Sequence, residues 1–167
     1  MKIVISGTPG TGKTTVARIL SEKTNLQHID VNKVAYEHRL VDGDVVNIDE
    51  LERILKEIEG IIEGHLTCEM RLNDRIFVLR CRPDILEKRL LPRNYSKEKL
   101  KNNIESEALD YCTIVAEKHY KEVYEIDTSK RTPEEVAEII LRILSGEKWE
   151  EHIDWSEDYF MNQEQFQ

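Results

Sequence analysis

The stretch Gly7-Thr8-Pro9-Gly10-Thr11-Gly12-Lys13-Thr14 lies between an apolar run, residues 2–6, and a helical pattern that begins at Thr14. It matches the phosphate-binding loop of nucleotide enzymes in full, and a strand before it and a helix after it are the context that such a loop requires. Glycines let backbone N–H groups converge on phosphate oxygens, and the helix N-terminus adds its dipole. The sequence therefore predicts a P-loop protein.

Three polar residues at the end of the P-loop have predicted roles at a nucleotide. Lys13 would reach the outer phosphates, and the Thr14 hydroxyl would ligate Mg²⁺. Thr15 would donate toward the inner phosphate. The predicted cofactor is therefore Mg²⁺, with ATP as the substrate.

A second motif, Ile61-Ile62-Glu63-Gly64-His65, reads as a core strand that ends in an acid. P-loop folds place there the carboxylate that holds the metal through water, so Glu63 is the predicted Walker-B-like residue. A neutral imidazole can take a proton near pH 7, and His65 can therefore orient or deprotonate a nucleophile. The alternative reading of His65 is a loop histidine satisfied by backbone groups.

Arginines form the third candidate set, because phosphoryl transfer is catalysed mainly by positioned cations. Arg89 and Arg93 flank Leu90-Leu91-Pro92 at the edge of a presumed lid. Arg80 and Arg82 fit more readily the common case of arginines solvated on a surface.

Short apolar runs alternate with longer helical patterns, which predicts an α/β fold with a five-stranded parallel sheet flanked by helices. The predicted strands are residues 2–6, 27–29, 61–63, 75–81 and 122–127. Predicted helices cover 14–23 and 31–38 and begin at 49, 83, 96 and 132. The helix from 49 has Asp49 and Glu52 as a capping box, and that from 96 runs to about 118.

The chain has 167 residues, with 24 Lys and Arg against 33 Asp and Glu, a net charge of −9. This charge argues against a protein that coats nucleic acid, and we expect no sequence-specific nucleic-acid binding. No apolar run approaches the roughly 20 residues of a spanning helix, so we expect no membrane partner, no signal peptide and a cytoplasmic location. Three cysteines exclude a disulfide framework and favour buried thiols.

Residues 1–146 form the predicted kinase domain, and residues 147–167 form an acidic, aromatic C-terminal tail. The tail has seven acidic residues and one lysine, so its net charge of −6 makes up most of the −9 of the whole chain. Its aromatic residues fit either a docking strip or a helix packed on the body.

The P-loop, the segment from Asp30 onward, Glu63-Gly64-His65 and the stretch from Arg89 to Asn103 together resemble the adenylate kinase isoenzyme six family, in its archaeal-type form. These are small nucleoside monophosphate kinase-like P-loop proteins linked to small ribosomal subunit maturation. The compact lid of that family is similar to residues 92–102, on the evidence of Arg89-Leu90-Leu91-Pro92-Arg93-Asn94-Tyr95, Lys99-Leu100 and Asn102-Asn103-Ile104-Glu105.

The resemblance implies an ATP site formed by Gly10, Gly12, Lys13, Thr14, Thr15 and Arg93, with Lys130 near the adenine. Arg89 would contact phosphates. The AMP site would lie in residues 30–53, with Asp30, Tyr36 and Arg39. The family often has Arg where Tyr36 aligns, and Arg39, three residues on and on a similar helical face, would substitute. It also often has Asp where this chain has Glu63.

Two functions follow from the resemblance. The first is an adenylate kinase that transfers phosphoryl from ATP to AMP, with intrinsic ATPase activity and a role in rRNA maturation. The second is primarily an ATPase assembly factor, with weak kinase activity, acting on a basic small-subunit platform ribosomal protein. A kinase for another small metabolite shares the P-loop but lacks the lid sequence.

Overall fold

The computed structural model describes residues 1–164 of the chain. Its main sheet has five parallel strands in the order β2-β5-β1-β6-β7, which confirms the predicted fold class. A separate antiparallel hairpin consists of β3 and β4. In chain order the strands are β1 Lys2–Ser6, β2 His28–Asp30, β3 Val41–Asp42, β4 Val45–Val46, β5 Gly60–Glu63, β6 Arg75–Arg80 and β7 Glu122–Asp127.

Helices connect the strands and cover both faces of the sheet, as parallel connections require. Two short 3₁₀ helices, His65–Glu69 and Leu91–Arg93, lie at the ends of β5 and of the fourth α-helix. The α-helices are α1 Lys13–Thr24, α2 Val31–Glu37, α3 Ile48–Lys56, α4 Pro83–Leu90, α5 Lys97–Ala108, α6 Tyr111–His119, α7 Pro133–Leu144 and α8 Ser156–Glu164.

Alternation along the central strands divides the core between the two sheet faces. One cluster contains Val4, Ile62 and Val78 from the strands, together with residues from α2, α3 and α6. The other contains Ile5 and Phe77, together with residues from α1 and α7. The strands are buried on both sides, which explains why they read as continuous apolar runs in the sequence.

Two predicted helix boundaries are wrong. The helix predicted from 96 to about 118 is broken into α5 and α6, because Asp110 adopts a left-handed backbone with φ 58° and pairs with Arg80. The cap of α3 is Asn47, whose Oδ1 accepts from Glu50 N at 3.1 Å, and not Asp49. Glu52, the other half of the expected box, instead accepts from Arg71 N and pairs with Lys56. The capping box of α7 is present as the sequence indicates.

The C-terminal tail packs on the body over much of its described length. Trp149 is half-buried against the α1/α7 cluster and donates its Nε1–H to the Glu125 carbonyl at 2.9 Å. Ile153 is buried, and Tyr159 contacts the apolar cluster of α4 and α5. Phe160 remains half exposed, and residues 165–167 lie outside the described part of the chain.

The three cysteines, Cys68, Cys81 and Cys112, are buried free thiols, as predicted. Among residues 1–164, no helix is both long enough and apolar enough to span a bilayer.

Candidate functional site

The carboxyl ends of β1, β5 and β2 meet at one edge of the sheet, and parallel α/β folds bind their ligands at this edge. The P-loop begins directly after β1. Its first glycine, Gly7, has φ +147°, and a Cβ there would lie 2.6 Å from the Leu79 carbonyl oxygen. Gly10 has φ +92°, and its Cβ would meet Leu90 Cδ2 at 2.8 Å. The loop can pack this closely on β6 and α4 only with glycine at these positions.

Lys13 is buried, with 8% of its surface exposed. Its ammonium Nζ donates to the Thr8 carbonyl at 3.1 Å, within the P-loop. Burial lowers the pKa of Lys13, and nearby Arg93 lowers it further, whereas Cys112 and Glu63 oppose the shift. A poorly solvated cation at the loop is suited to bind phosphate, because anion binding supplies the charge partner that water does not.

Thr14 and Glu63 are brought together as predicted. The Thr14 hydroxyl donates to Glu63 Oε1 at 3.0 Å, and the Glu63 side chain is almost fully buried at the end of β5. The same oxygen lies 3.1 Å from His28 Nε2 on the adjacent strand β2. His28 therefore orients the carboxylate from the side opposite the P-loop. This contact cannot be predicted from the sequence alone, because it depends on the pairing of β2 with β5.

His65 follows Glu63 by two residues and opens the first 3₁₀ helix. Its carbonyl accepts from Ser6 Oγ at 3.4 Å and from Cys68 Sγ at 3.2 Å, which fixes the backbone, while the residue is exposed. Desolvation of the imidazole by neighbouring protein lowers the pKa of His65, and the positive charge of Lys13 lowers it further. The imidazole is therefore neutral near pH 7 and can accept a proton.

A cavity of about 260 Å³ lies between the P-loop and the loop after β7. Gly10, Gly12, Thr15 and Arg89 all line it, so four of the predicted ATP-site and phosphate residues share one space. Arg89 donates from Nη1 to Thr128 Oγ1 at 3.0 Å and from Nη2 to the Thr128 carbonyl at 2.8 Å. The two contacts hold the guanidinium at the cavity wall.

Lys130, predicted to lie near the adenine, is exposed in the loop after β7, whereas the next residue, Arg131, lines the cavity. Arg131 Nη1 donates to Glu151 Oε1 at 2.8 Å and to the Asp127 carbonyl at 3.0 Å. Its guanidinium lies 5.4 Å from the centre of the Trp149 ring. The tail thus fixes a cationic side chain at this cavity, a contact that sequence spacing does not reveal.

The predicted lid, residues 92–102, consists of most of the second 3₁₀ helix, a left-handed residue at Asn94 and the first half of α5. Arg93 is exposed there and donates from Nη1 to the Tyr95 hydroxyl at 3.2 Å. Its charge contributes to lowering the pKa of Lys13, which indicates that the two cations lie near each other.

The predicted AMP-site residues lie apart from this cavity lining. Asp30 caps α2, since its Oδ1 accepts from Asn32 N at 2.9 Å and Lys33 N at 3.3 Å. Tyr36 is 69% exposed. The argument that Arg39 shares a helical face with Tyr36 is wrong, because α2 ends at Glu37 and Arg39 has φ 56°.

Arg80 is the clearest correction among the arginines. The expectation of a solvated surface position is wrong, since Arg80 is 1% exposed and bonded to Glu107. Arg82 is exposed and paired with Asp84, as expected. Glu107 was missed, although it lies on the apolar face of α5 between Ile104 and Ala108. The sequence signal for Glu107 is a single acidic residue on the apolar face of a helix.

Comparison with known proteins identifies the family of the chain. A family model described as an AAA domain, AAA_18, matches residues 3–110. A protein named "Putative adenylate kinase" from Pyrococcus abyssi is 43% identical over 169 residues, which cover 95% of this chain and 93% of that protein. Another with this name, from Methanocaldococcus jannaschii, is 34% identical over 173 residues and covers 96% of each chain.

Two solved structures share the fold at low sequence identity. A shikimate kinase from Acinetobacter baumannii, in complex with shikimate, has a TM-score of 0.67 and 16% identity, covering 89% of this chain and 95% of that chain. The YorR protein of Bacillus subtilis has a TM-score of 0.64 and 18% identity, covering 91% and 100%. The chain therefore belongs to the AAA-domain family of P-loop proteins, and to the same family as the archaeal proteins named "Putative adenylate kinase".

Proposed function

We propose that this protein is an adenylate kinase that transfers the γ-phosphoryl group of ATP reversibly to AMP, giving two ADP. The observation that carries the proposal is the 3.0 Å contact between the Thr14 hydroxyl of the P-loop and the buried Glu63 carboxylate. This pairing is the arrangement that a Mg-nucleotide requires at a P-loop. The names of the archaeal relatives support AMP as the acceptor.

In the proposed reaction, an AMP phosphate oxygen forms a bond to the γ-phosphorus of ATP. The bond from that phosphorus to the β,γ-bridging oxygen breaks, and its electron pair stays on the ADP that leaves. The protein supplies no nucleophile. Lys13, Arg89 and Arg93 stabilise the charge on the moving group, and a closing lid keeps water from competing as acceptor.

The residues at the sheet edge fit Mg²⁺, which prefers oxygen ligands and retains several waters. Thr14 would bind it through the hydroxyl, and Glu63 would hold it through water. Within residues 1–164, no group of three or more His, Cys, Asp or Glu side chains is arranged to hold a metal, so this site depends on the phosphates as well. Bound Mg²⁺ would neutralise charge on the phosphate oxygens during transfer.

The acceptor would bind in residues 30–53, which comprise α2, the β3–β4 hairpin and part of α3. Asp30, Tyr36 and Arg39 are the proposed contacts. Lys130 and Arg131 belong to the loop proposed to face the adenine, and Arg131 is the better placed of the two because it lines the cavity.

His65 supports a second function, an ATP-driven assembly factor with weak kinase activity. An exposed imidazole with a lowered pKa, two residues after Glu63 in the chain, can orient a water for hydrolysis. In this case the partner would be a basic small-subunit platform ribosomal protein in the cytoplasm, and the role would be in rRNA maturation. The net charge of −9 favours a basic partner.

The test is ATP turnover by the purified protein with Mg²⁺, with and without AMP. A kinase should consume ATP much faster with AMP and form two ADP per event. Lys13→Ala should lower turnover about 10²- to 10³-fold, the usual loss when a preorganised charge partner of the transition state is removed. Its fold should persist, because the variant removes a buried charge and not a core side chain.

His65→Ala separates the two functions. Loss of slow, AMP-independent hydrolysis in His65→Ala, with no stimulation by AMP in the wild type, would support the assembly factor. Rapid AMP-dependent ADP formation that survives in His65→Ala would support the kinase. Wild-type protein that neither binds nor consumes ATP would contradict both.

A further inference from the structure

A buried carboxylate joins the P-loop to the helix that leaves the lid. Glu107, in the last turn of α5, is 2% exposed. Its Oε2 accepts from the Thr8 hydroxyl at 2.7 Å, and its Oε1 accepts from the Cys81 backbone N–H at 3.0 Å. The carboxylate, carried by α5, therefore contacts both the P-loop and the end of β6.

Arg80 supplies the positive charge that Glu107 contacts in this buried position. Its Nε donates to Glu107 Oε1 at 2.8 Å and its Nη2 to the Glu107 carbonyl at 3.0 Å. Asp110, Glu125 and the Thr113 hydroxyl also contact the guanidinium. Burial alone would lower the pKa of Arg80, but these carboxylates raise it above its ordinary value. A buried network with this many partners is rigid and holds Glu107 in one place.

Thr8 links the rigid Arg80–Glu107 network to the phosphate site. Its hydroxyl donates to Glu107, while its carbonyl accepts from Lys13 Nζ at 3.1 Å and from Thr11 Oγ1 at 2.9 Å. Thr8 therefore contacts both the buried Glu107 carboxylate and the phosphate-binding Lys13. A shift of α5 would therefore act on Thr8 and, through the Thr8 carbonyl, on Lys13.

We propose that Glu107 is a positioning residue that couples the lid helix α5 to the P-loop through the Thr8 hydroxyl. It fixes the loop in the conformation that directs Lys13 and the backbone amides toward the phosphates. This inference rests on the proposed nucleotide binding at the P-loop. It predicts that loss of one hydrogen bond outside the phosphate shell weakens both ATP binding and transfer.

Thr8→Val tests the inference, because it removes the hydroxyl at nearly constant volume and leaves the Glu107–Arg80 contact in place. Thr113→Val is the matched control. Thr113 is also buried and also donates to a carboxylate of the same network, Glu125 Oε1, at 2.7 Å, but it does not contact the P-loop. We expect Thr8→Val to raise the Kd for ATP and to lower kcat, each about tenfold, the scale of one hydrogen bond to a charged group.

Thr113→Val should keep both constants within about twofold, and Thr8→Ser should restore them because it retains the hydroxyl. Equal loss of thermal stability in Thr8→Val and Thr113→Val, with ATP affinity unchanged in both, would overturn the inference alone. Wild-type protein that fails to bind ATP would overturn the proposed function as well.

A measurement on the wild type does not depend on whether Thr8→Val folds. ATP should slow amide hydrogen exchange in residues 104–108, the last turn of α5, since bound phosphates would hold the P-loop and Thr8 in place. The comparison helix is α3, on the proposed acceptor side. If ATP slows exchange in residues 104–108 no more than it slows exchange in α3, the proposed coupling is wrong.

Discussion

The phosphate-binding side of the protein and its proposed acceptor segment, residues 30–53, are built in different ways. On the phosphate side, Lys13, Glu63, Arg80 and Glu107 are at most 8% exposed and have bonded partners. On the acceptor segment, Tyr36 is 69% exposed, Val45 is 71% exposed and Arg39 lies past the end of α2. The named groups of the phosphate side are held by the fold, whereas those of the acceptor segment lie at the surface or past the end of a helix.

The difference follows from what each side must do. Charges that stabilise a transferring phosphoryl group act most strongly when they are preorganised and poorly solvated, and the fold must then supply partners for them. An acceptor segment that closes over its substrate must instead be free to move, because closure completes the site and excludes water. We therefore expect substitutions on the two sides to differ in kind as well as in size.

The largest expected difference between the two sides is in stability. Arg80→Met should lower the free energy of unfolding by about 3–5 kcal/mol, because it leaves Glu107 buried without its charge partner. Arg39→Met, the matched substitution on the acceptor segment, should change it by about 0.5 kcal/mol or less. Urea unfolding of the two variants and the wild type measures both values.

The comparison would fail if the two variants unfolded at the same urea concentration. In that case the Arg80 network would be no more important to the fold than an exposed arginine. Arg82→Met is a second control, because Arg82 is adjacent in sequence to the network but pairs only with exposed Asp84 among the ion pairs described for residues 1–164.

The phosphate side could be predicted from sequence to the extent that its residues are neighbours along the chain. Local patterns reveal the P-loop, the strand before it, and Glu63 two residues before His65, and each pattern has one physical interpretation. His28 and Glu107 were missed because their partners lie 35 and 99 residues away. Only the strand order β2-β5-β1 and the packing of α5 bring these groups together.

Arg80 shows a different failure. Arg80 lies at the end of an apolar strand, and the sequence predicts a surface position for it because arginine is rarely buried without partners. Those partners come from three separate segments, and one of them, Asp110, required a helix break that the periodicity of residues 96–118 does not reveal. The prediction that Arg39 shares a helical face with Tyr36 is wrong for the opposite reason, because it extends a helical face past the true end of α2.

A smaller expected effect tests the acceptor segment directly. Arg39→Ala should raise the KM for AMP about 10- to 100-fold, the range of one hydrogen bond to a charged group, if Arg39 binds the AMP phosphate as proposed. The KM for ATP and the stability should stay near the wild-type values. Initial rates at varied AMP and at varied ATP separate the two constants.

Lys33→Ala is the matched control, because Lys33 is a cation on α2 that pairs with Glu37. Equal increases in the KM for AMP in both variants would point to the overall charge of the segment, and not to Arg39. An unchanged KM for AMP in Arg39→Ala would remove Arg39 from the proposed site.

The smallest expected effect concerns His65, an exposed residue on the phosphate side. The pKa of His65 is lowered from its usual value of 6.5, so the unfolded chain takes up this proton at a higher pH than the folded protein does. Stability is therefore lost as the pH falls through 6.5 toward the folded pKa, and above 6.5 the shift has no effect. His65→Gln should lose less stability than the wild type between pH 7.5 and 5.5.

Urea unfolding at these two pH values measures the difference, and His38→Gln on the acceptor segment gives the matched comparison. A smaller pH-dependent loss in His65→Gln alone would mean that Lys13 and the surrounding protein hold His65 neutral even though it is exposed. The electrostatic field of the phosphate side would then extend beyond its buried residues. Equal pH dependence in His65→Gln, His38→Gln and the wild type would confine that field to the groups the fold has buried.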